Sequence, residues 1–372
     1  MKQIITCPQS LKRSGKLRPR GVLTIGLDLG DKTSRFCALD ADGVVGGEGS
    51  LATTRKGLAQ RFAAIARCRI ALEVGTHSPW VSRLLQSFGH EVIVANPRQV
   101  KLISQSSRKD DRVDARTLAR LARVDPELLR PIRHRSEKAQ QDLLVIRVRA
   151  ALVESRTALV NAARGLAKSL GERLPACDAD GLGTARLEPL SEGLREPLRP
   201  LLEEVETLTA RILALDQKLE QIARAEYPET HLLQQVKGVG TLIALTFVLT
   251  VEDRERFQKS RDEGCYLGLR PKRSQSGGSD PQLHITKEGD TYLRKLLMQG
   301  AHYILGHRGA DTDLRKWGLT LAQRGGKNAK KRALVAVARK LAVLLHRLWV
   351  TGEVYEPLRN CAARSRLKAV AA

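Results

Sequence analysis

Short apolar runs alternate with amphipathic segments in the first 135 residues. Runs bounded by glycine or polar residues predict β-strands at 22–28, 35–39, 70–73 and 91–95. A helical period predicts helices over 58–66, over 80–88 and from Val113 onward. Asp42-Gly43 is typical of a hairpin turn before Val44 and Val45. Strands that alternate with helices favour an α/β sheet.

The pattern changes at about Glu137, after which it is helical. One helical stripe consists of Val145, Val148, Leu152, Leu159, Ala163, Leu166 and Leu170. Gly and Pro are frequent in 171–200, which predicts a loop or hairpin tip. A second stripe has heptad spacing and consists of Leu201, Val205, Leu208, Ile212, Leu215, Leu219 and Ile222. This spacing predicts a coiled coil, which a second helix of the same chain or a partner chain would close.

A third region begins near Tyr227. The sequence VKGVG at 236–240, followed by an apolar stretch to Leu249, resembles a helix-hairpin-helix turn that offers backbone N–H groups to a phosphate. An ordinary connection between two helices explains the same residues equally well. Two further amphipathic helices are predicted over Leu293–Leu305 and Ala333–Trp349.

Composition narrows the class of protein. The 372 residues include 64 Lys or Arg and 40 Asp or Glu, so the formal net charge is +24. This excess indicates a polyanionic partner such as nucleic acid, while 42% hydrophobic residues suffice for a folded core. No apolar run is long enough to span a membrane, and residues 1–20 lack the apolar centre of a signal peptide, so we expect a cytoplasmic protein. The scattered cysteines contain no CxxC pair, which argues against a zinc ribbon or a disulfide framework.

The charge is distributed unevenly. Residues 1–20 carry basic but no acidic side chains, which predicts a flexible basic arm. Residues 98–123 and 308–347 are also strongly basic, whereas 188–226 is acidic. We therefore expect the basic segments to line a nucleic-acid surface and the acidic helix to point away from it.

Four carboxylates follow or precede predicted elements. Asp28 and Glu73 end two buried-type strands, and Asp111 and Asp114 share one face at a helix start. Four such carboxylates could hold two Mg²⁺ ions about 4 Å apart, an arrangement suited to phosphodiester chemistry. Taken singly, Asp28 is equally consistent with a turn or cap, Glu73 with a solvated strand end, and Asp110-Asp111 with a helix N-cap.

A serine lies in a second group of polar residues. Ser276 precedes Gly277 and Gly278, and basic residues flank it on both sides. A hydroxyl among cations could attack a phosphodiester and form a phosphoserine link, with the cations stabilising the developing charge. An SGGS run by itself is more often a linker.

Together these motifs resemble the insertion-sequence transposases known as bridge-RNA-guided recombinases. The resemblance covers about residues 21–350 and rests on IGLDLG, ALEVGT, DRVDAR, the GVG turn and LGLRPKRSQSGGS…ITKEGDTYLR. It implies an α/β plus α fold: a RuvC-like (ribonuclease-H-like) mixed sheet with helices, then a coiled coil, then a mainly helical domain with a helix-hairpin-helix-like turn. The implied boundaries are a basic arm 1–20, a RuvC-like domain 21–135, a coiled-coil linker 136–226, a serine-containing domain 227–350 and a tail 351–372.

The resemblance also implies a mechanism. Asp28, Glu73, Asp111 and Asp114 would form a D-E-D-D tetrad that binds Mg²⁺, and Ser276 would form a covalent 5′-phosphoserine intermediate. Asp111 is preferred to Asp110 because the family spacing to the fourth member is three, and Ser276 to Ser274 and Ser279 because it directly precedes the glycine pair. Double-stranded target and donor DNA, a structured guide (bridge) RNA and a dimer that assembles into a tetramer are the implied partners, with no membrane.

Basic and glycine residues near these motifs are the predicted nucleic-acid contacts. They are Lys109, Arg112, Arg116, Lys237, Gly238, Gly240, Lys272, Arg273, Lys287, Arg294, Lys327, Lys330 and Lys331. Two other hypotheses fit the same sequence. One is a RuvC-like structure-selective endonuclease that uses activated water, and the other is a non-catalytic nucleic-acid-binding scaffold.

Overall fold

The computed structural model of the protein describes residues 23–96, 111–281 and 283–359, and of residues 111 and 112 the backbone alone. The basic arm, Lys109, Asp110 and most of the predicted tail lie outside these residues. The chain divides into two compact units, Met1–Arg135 and Ser136–Ala372. The predicted boundaries at 226/227 and 350/351 stay predictions. Among the described residues, no helix combines the length and the apolar character that crossing a membrane requires.

A five-stranded mixed sheet forms the centre of the first unit. Its strands are β1 (Thr24–Asp28), β2 (Thr33–Leu39), β3 (Val45–Ala52), β4 (Arg69–Glu73) and β5 (Glu91–Ala95). They lie in the order β3-β2-β1-β4-β5. β1 pairs antiparallel with β2 and parallel with β4, and β5 pairs parallel with β4. A mixed sheet with helices, followed by a helical remainder, confirms the predicted α/β plus α class.

One face of this sheet packs against two short helices. Side chains alternate between faces along a strand, so Ile25 and Leu27 of β1 share a face with Ile70 and Leu72 of β4. These residues form one buried cluster with Leu58, Phe62, Val81 and Leu85. The last four belong to α1 (Arg55–Phe62) and α2 (Ser78–Ser87), which cover this face.

The opposite face carries a third helix, α3 (Asp111–Val124). It lies so close to β1 that a Cβ on Gly26 would be 1.9 Å from the carbonyl oxygen of Ala115. Only glycine permits this approach without a shift of the helix or the strand. Asp28 and Glu73 are two residues beyond Gly26 and Ala71, so strand alternation turns them to the face that α3 covers.

Two long helices begin the second unit. They are α4 (Glu137–Ser169) and α5 (Glu192–Glu226). Arg149 hydrogen-bonds Asp216 and Arg156 hydrogen-bonds Thr209, so the residue numbers rise along one helix as they fall along the other. The helices are therefore an antiparallel pair. Most predicted heptad residues of α5 are buried, but a coiled coil with its characteristic packing stays a prediction.

The stripe predicted on α4 was partly wrong. Val148, Leu166 and Leu170 are exposed, whereas the buried face consists of Ala139, Asp142, Leu143, Ile146, Arg156, Val160, Ala163 and Ala167. Arg156 interrupts the apolar sequence of this face, and its guanidinium is paired with Asp180. A stripe chosen by apolar residue type therefore left the buried face in part, because the buried Arg156 stands near the centre of that face.

The loop predicted over 171–200 is shorter than expected, since α5 already begins at Glu192 and contains Pro197 and Pro200. Both prolines are exposed, so the carbonyl groups that lose a helical partner can be hydrated. Leu194 and Leu198 on the other side of the helix are buried in a cluster with Val160 and Ala163. Their burial offsets the cost of the prolines.

The rest of the second unit is a compact group of helices. They are α6 (Glu229–Gln234), α7 (Thr241–Val251), α8 (Glu263–Tyr266), α9 (Thr291–Leu305), α10 (Asp313–Ala322) and α11 (Ala329–Thr351). The eight residues from Ala244 to Val251 are all buried, so α7 is the central helix of this core. α9 and α11 confirm the two helices predicted there, while α10 was not anticipated.

Candidate active site

Two of the predicted carboxylates end neighbouring parallel strands. Leu27 of β1 pairs with Leu72 of β4, and the next residues of these strands are Asp28 and Glu73. The carboxyl ends of paired parallel strands meet at the same edge of a sheet. The sheet pairing, which joins residues 45 positions apart, therefore brings these two acids side by side.

A third carboxylate comes from α3. Asp114 is the fourth residue of this helix and precedes Ala115, the residue that lies against Gly26. Burial, then the negative charge of Asp28, then that of Asp114 raise the pKa of Glu73. Asp28, Glu73 and Asp114 thus form one electrostatically coupled group, which we call the carboxylate edge. Asp111 begins α3 one turn before Asp114 and so shares its side of the helix, but its side chain lies outside the described part.

The donor set of the carboxylate edge suits a hard divalent cation. The Oε1 atom of Glu73 is buried and has no hydrogen-bond partner, an arrangement that is costly unless a cation or a proton satisfies it. Mg²⁺ prefers carboxylate oxygens of this kind. Among the side chains that the structure describes, no three His, Cys, Asp or Glu are arranged closely enough to hold a metal ion together. The described carboxylates fit part of a magnesium site, and the tetrad stays a prediction.

The turn after β4 is held by a buried serine. Ser78 has no exposed surface, and its Oγ donates to the carbonyl oxygen of Gly75 at 2.8 Å. The single hydroxyl proton is thereby used, so His134 must donate from Nε2 to Ser78 Oγ at 2.9 Å. Burial, then Arg83 and Arg135 lower the pKa of His134. This network fixes the backbone directly after Glu73.

Three further side chains at the same edge were missed by the sequence analysis. Asp31 follows Asp28 by three residues, and His77 follows Glu73 by four. The Nε2 atom of His77 lies 3.4 Å from Asp31 Oδ1, and Trp80 Nε1 donates to His77 Nδ1 at 3.1 Å. The sequence did contain a signal for them, because polar residues follow both strand ends within four positions.

Arg116, a predicted nucleic-acid contact, is engaged within the first unit. Its Nε and Nη2 donate to the same oxygen of Glu48 at 3.0 and 2.5 Å. Hydrogen bonding to Glu48 raises the pKa of Arg116. The side chain thus joins α3 to the edge strand β3. The side chain of Arg112 lies outside the described part of the chain.

Ser276 lies at the tip of a two-stranded ribbon, residues 268–287, which we call the serine ribbon. Ser276 and Ser279 exchange backbone hydrogen bonds of 3.1 Å in both directions around Gly277 and Gly278. Gly277 has φ +54°, as a tight hairpin turn requires. Residues 270–281 are all exposed. Ser274, one of the alternatives to Ser276, lies in one arm of the ribbon, outside the four-residue turn.

Arg294 holds the base of the serine ribbon together. It is buried, and its Nη1 donates to the carbonyl oxygens of Leu267 and Glu288, at 3.0 and 2.7 Å. These two residues lie directly before and after the ribbon. Gly268 stands at the same crossing, where a Cβ would be 2.2 Å from the Glu288 carbonyl oxygen. Arg294 was predicted as a nucleic-acid contact, which stays a prediction, and in the structure it joins the two ends of the ribbon.

The other predicted contacts of the serine ribbon are exposed. Lys272 and Lys287 have no described ion pair, and Lys287 adopts φ +58°. Arg273 donates to Gln275 at 2.6 Å and lies 3.6 Å from Asp280. An exposed cationic ribbon offers its charges to an external anion.

Two more predicted contact regions lie on the second unit. Lys237 is exposed, and Gly238 has φ +98° beside Tyr303, at an open groove of about 430 Å³ lined by Gly238, Val239, Gly240, Ile243, Gln299, Gly300 and Tyr303. The turn joins α6 to α7, and its assignment as a helix-hairpin-helix stays a prediction. Lys327, Lys330 and Lys331 are exposed around the N-terminus of α11. The positive end of the helix dipole repels cations at a helix N-terminus. An anion bound there would offset this repulsion.

Comparison with known proteins gives consistent matches along the chain. A family model named for DEDD transposases of the IS110 type, described as "Transposase", matches residues 25–171, and one described as "Transposase IS116/IS110/IS902 family" matches residues 230–314. The "Probable family 20 transposase" of Pseudomonas aeruginosa is 32% identical, over 80% of this chain and 88% of the relative. The "Transposase for insertion sequence element IS1111A" of Coxiella burnetii is 29% identical, over 90% of this chain and 92% of the relative. The carboxylate edge lies in the first matched segment and Ser276 in the second.

Proposed function

Because the chain belongs to the IS116/IS110/IS902 family of transposases, we propose that it cuts and exchanges DNA strands for an insertion sequence, using a serine nucleophile and a magnesium-dependent carboxylate site. The observation that carries this proposal is the convergence of Asp28, Glu73 and Asp114, where burial, then the charges of Asp28 and Asp114, raise the pKa of Glu73. Coupled carboxylates with perturbed pKa values are typical of functional sites.

In this proposal Asp28, Glu73, Asp111 and Asp114 bind Mg²⁺. An ion held by these carboxylates would supply positive charge to polarise a phosphate oxygen and stabilise the charge that develops on it. The chain's own contribution is placement. Two strand ends and a helix packed onto Gly26 hold the carboxylates, and burial keeps water from Oε1 of Glu73.

Ser276 is the proposed nucleophile. Its Oγ forms a bond to phosphorus while the bond from phosphorus to the 3′ oxygen breaks, and this leaves a 5′-phosphoserine and a 3′-hydroxyl. The serine proton passes to a base, and the 3′ oxygen takes up a proton. The phosphoserine conserves the phosphodiester energy, so a different 3′-hydroxyl can attack it and complete strand exchange.

The proposed partners are double-stranded target and donor DNA and a structured guide RNA that pairs with both. A net charge of +24 supports binding of several nucleic-acid segments at once. Aromatic residues make up only 3% of the chain, which disfavours base stacking as the main mode of recognition. Contacts to phosphate backbones and A-form helices fit better, with sequence specificity left to pairing. A dimer that assembles into a tetramer is proposed from the same family resemblance.

Ser276→Ala and Ser279→Ala form a matched pair that tests the nucleophile. The two residues are paired across the same turn, so their hydroxyls differ in role but not in setting. End-labelled DNA is incubated with Mg²⁺, the protein and the RNA of its element, and covalent protein–DNA adducts are counted on denaturing gels. We expect Ser276→Ala to abolish the adduct and Ser279→Ala to keep it. Cleavage without any adduct would favour the endonuclease, and binding without cleavage would favour the scaffold.

Guide binding needs a separate experiment. The protein is purified from cells that carry its complete insertion sequence, and the bound RNA is sequenced. Enrichment of one structured RNA from the flanks of the element is the expected result. A random sample of cellular RNA would contradict RNA guidance and leave the serine chemistry untouched.

A further inference from the structure

The ring of His77 has a defined protonation pattern beside the carboxylate edge. The indole N–H of Trp80 lies 3.1 Å from His77 Nδ1, and an indole nitrogen can only donate. His77 Nδ1 must therefore accept and carries no proton. In the neutral ring the proton is then on Nε2, the nitrogen that faces Asp31.

The present partner of that N–H is weakly held. His77 Nε2 and Asp31 Oδ1 are 3.4 Å apart, which is long for a hydrogen bond, and the Asp31 side chain is 87% exposed. An exposed pair of this kind contributes little to stability. Asp31 can swing into solvent, and another acceptor can take its place at small cost.

The same pattern excludes two other roles for His77. A metal would need the lone pair of Nε2, which the Nε2–H tautomer does not offer, and the Trp80 bond disfavours the other tautomer. His77 also precedes α2 as its N-cap residue, yet its side chain makes no capping hydrogen bond. With neither role filled, the Nε2–H group faces Asp31, which follows the end of β1 at Asp28 by three residues.

Apart from Asp31, the neighbours described around the His77 ring are Trp80 and Arg55, and neither accepts from its Nε2–H. Trp80 meets it edge to face, with ring centroids 6.0 Å apart, and the guanidinium of Arg55 lies 5.8 Å from the centroid of the Trp80 ring. Arg55 is exposed, so a cation stands beside this pair of rings. An N–H donor next to a ring that carries a nearby cation suits an anionic oxygen.

We propose that His77 donates a hydrogen bond from Nε2 to a non-bridging oxygen of the DNA phosphate that the carboxylate edge acts on, and that Trp80 is the positioning residue that fixes its tautomer. This inference rests on the proposed function for the identity of the phosphate. The tautomer rests on the geometry of His77 and Trp80 alone.

Nitrogen NMR of the histidine rings tests the tautomer in the full-length protein. The signals of His77 are assigned by their loss in His77→Gln. We expect the wild type to show a single Nε2–H tautomer at neutral pH and Trp80→Phe, which keeps the aromatic ring but lacks the indole N–H, to show a mixture of tautomers. An Nδ1–H or doubly protonated ring in the wild type at neutral pH would overturn the proposal.

Single-turnover cleavage at saturating DNA tests the contact. We expect His77→Ala to slow cleavage about 10- to 100-fold, which is the range for a hydrogen bond to a charged group. His77→Gln should recover part of the rate, because its amide also donates. Gln86→Ala, an exposed change on α2, should leave the rate unchanged.

A substrate with one methylphosphonate at the cleaved position allows a double-mutant cycle, in which the second change is made in the DNA instead of the protein. Where the methyl group replaces the oxygen that His77 contacts, wild type and His77→Ala should cleave at equal rates, since the acceptor is already gone. Equal effects of His77→Ala on all substrates would contradict the contact. Absence of any cleavage by the wild type would refute the proposed function, whereas a normal rate for His77→Ala would refute this inference alone.

Discussion

Asp28 and Glu73 end paired strands of a sheet that helices cover on both faces, whereas Ser276 lies at the tip of a ribbon whose residues 270–281 are all exposed. The carboxylate edge is held by backbone pairing and by contact between Gly26 and α3. The serine ribbon is held at its base, by Arg294 and by close backbone crossing at Gly268. A metal site needs ligands in fixed positions, while a nucleophile delivered to a bulky nucleic acid needs reach. The rigid carboxylate edge therefore suits the proposed metal binding, and the exposed serine ribbon suits the proposed nucleophile.

The largest loss of stability is expected at Gly26, because the absence of a side chain there lets α3 pack directly against β1. Gly26→Ala would bring its Cβ within 1.9 Å of the Ala115 carbonyl oxygen and push α3, with Asp114, away from β1. We expect the free energy of unfolding of the first unit to fall by about 3 kcal/mol. Urea denaturation measures this change. Gly46→Ala is the control, because its nearest neighbour would be 3.9 Å away, and equal losses for both variants would contradict the close packing.

Arg294→Ala tests the base of the serine ribbon. It leaves the carbonyl groups of Leu267 and Glu288 without a described donor, and we expect a loss of about 2 kcal/mol in the second unit. Hydrogen exchange should accelerate at the amides of Thr286 and Lys287, which bond across the ribbon to Arg270 and Gly268.

The adduct with DNA should form more slowly in Arg294→Ala, while the carboxylate edge keeps its stability. Arg211→Ala, an exposed change on the acidic helix α5 of the same unit, serves as the control. If exchange at Thr286 and Lys287 stays as slow as in the wild type, Arg294 does not hold the ribbon.

Glu263, in helix α8 just before the serine ribbon, offers a test of similar size that appears only at high pH. It is fully buried in α8, neither of its carboxyl oxygens has a partner in the described structure, and burial raises its pKa to about 8 against an opposing effect of Arg256. A raised carboxyl pKa means that the folded state binds the extra proton, so its stability falls as pH rises from about 4.5 to about 8.

Glu263→Met should remove this pH dependence and raise the free energy of unfolding at pH 9 by about 2 kcal/mol. Thermal or urea unfolding at pH 5, 7 and 9 measures the slope. A slope in Glu263→Met as steep as in the wild type would show that Glu263 is already satisfied.

The smallest effect is expected at Glu73. Burial, Asp28 and Asp114 raise its pKa, so without metal the charged side chain opposes folding above its ordinary titration range. Glu73→Gln should therefore raise the free energy of unfolding by about 1 kcal/mol at pH 7 in EDTA. Added Mg²⁺ should stabilise the wild type and have little effect on Glu73→Gln. An equal response to Mg²⁺ in both proteins would remove Glu73 from the proposed metal site.

The sequence patterns predicted the strands and most helices because these depend on local periodicity. They also placed Asp28 and Glu73 at strand ends, where alternation and chain direction leave few alternatives. They failed on α4, because Arg156 occupies a buried position that a search for apolar residues passes over. They overextended the loop after α4, since the burial of Leu194 and Leu198 outweighs the helix-breaking tendency of Pro197 and Pro200.

Sequence alone determined the class of the fold, the family of the protein and the residue types available for chemistry. Tertiary structure decided which of those residues meet. It coupled Asp114 to Glu73, joined the two ends of the serine ribbon through Arg294, and set the tautomer of His77 through Trp80. The reason is physical: periodicity is a property of neighbouring residues, whereas a pKa, a buried hydrogen bond or a tautomer depends on atoms that only the folded chain brings together.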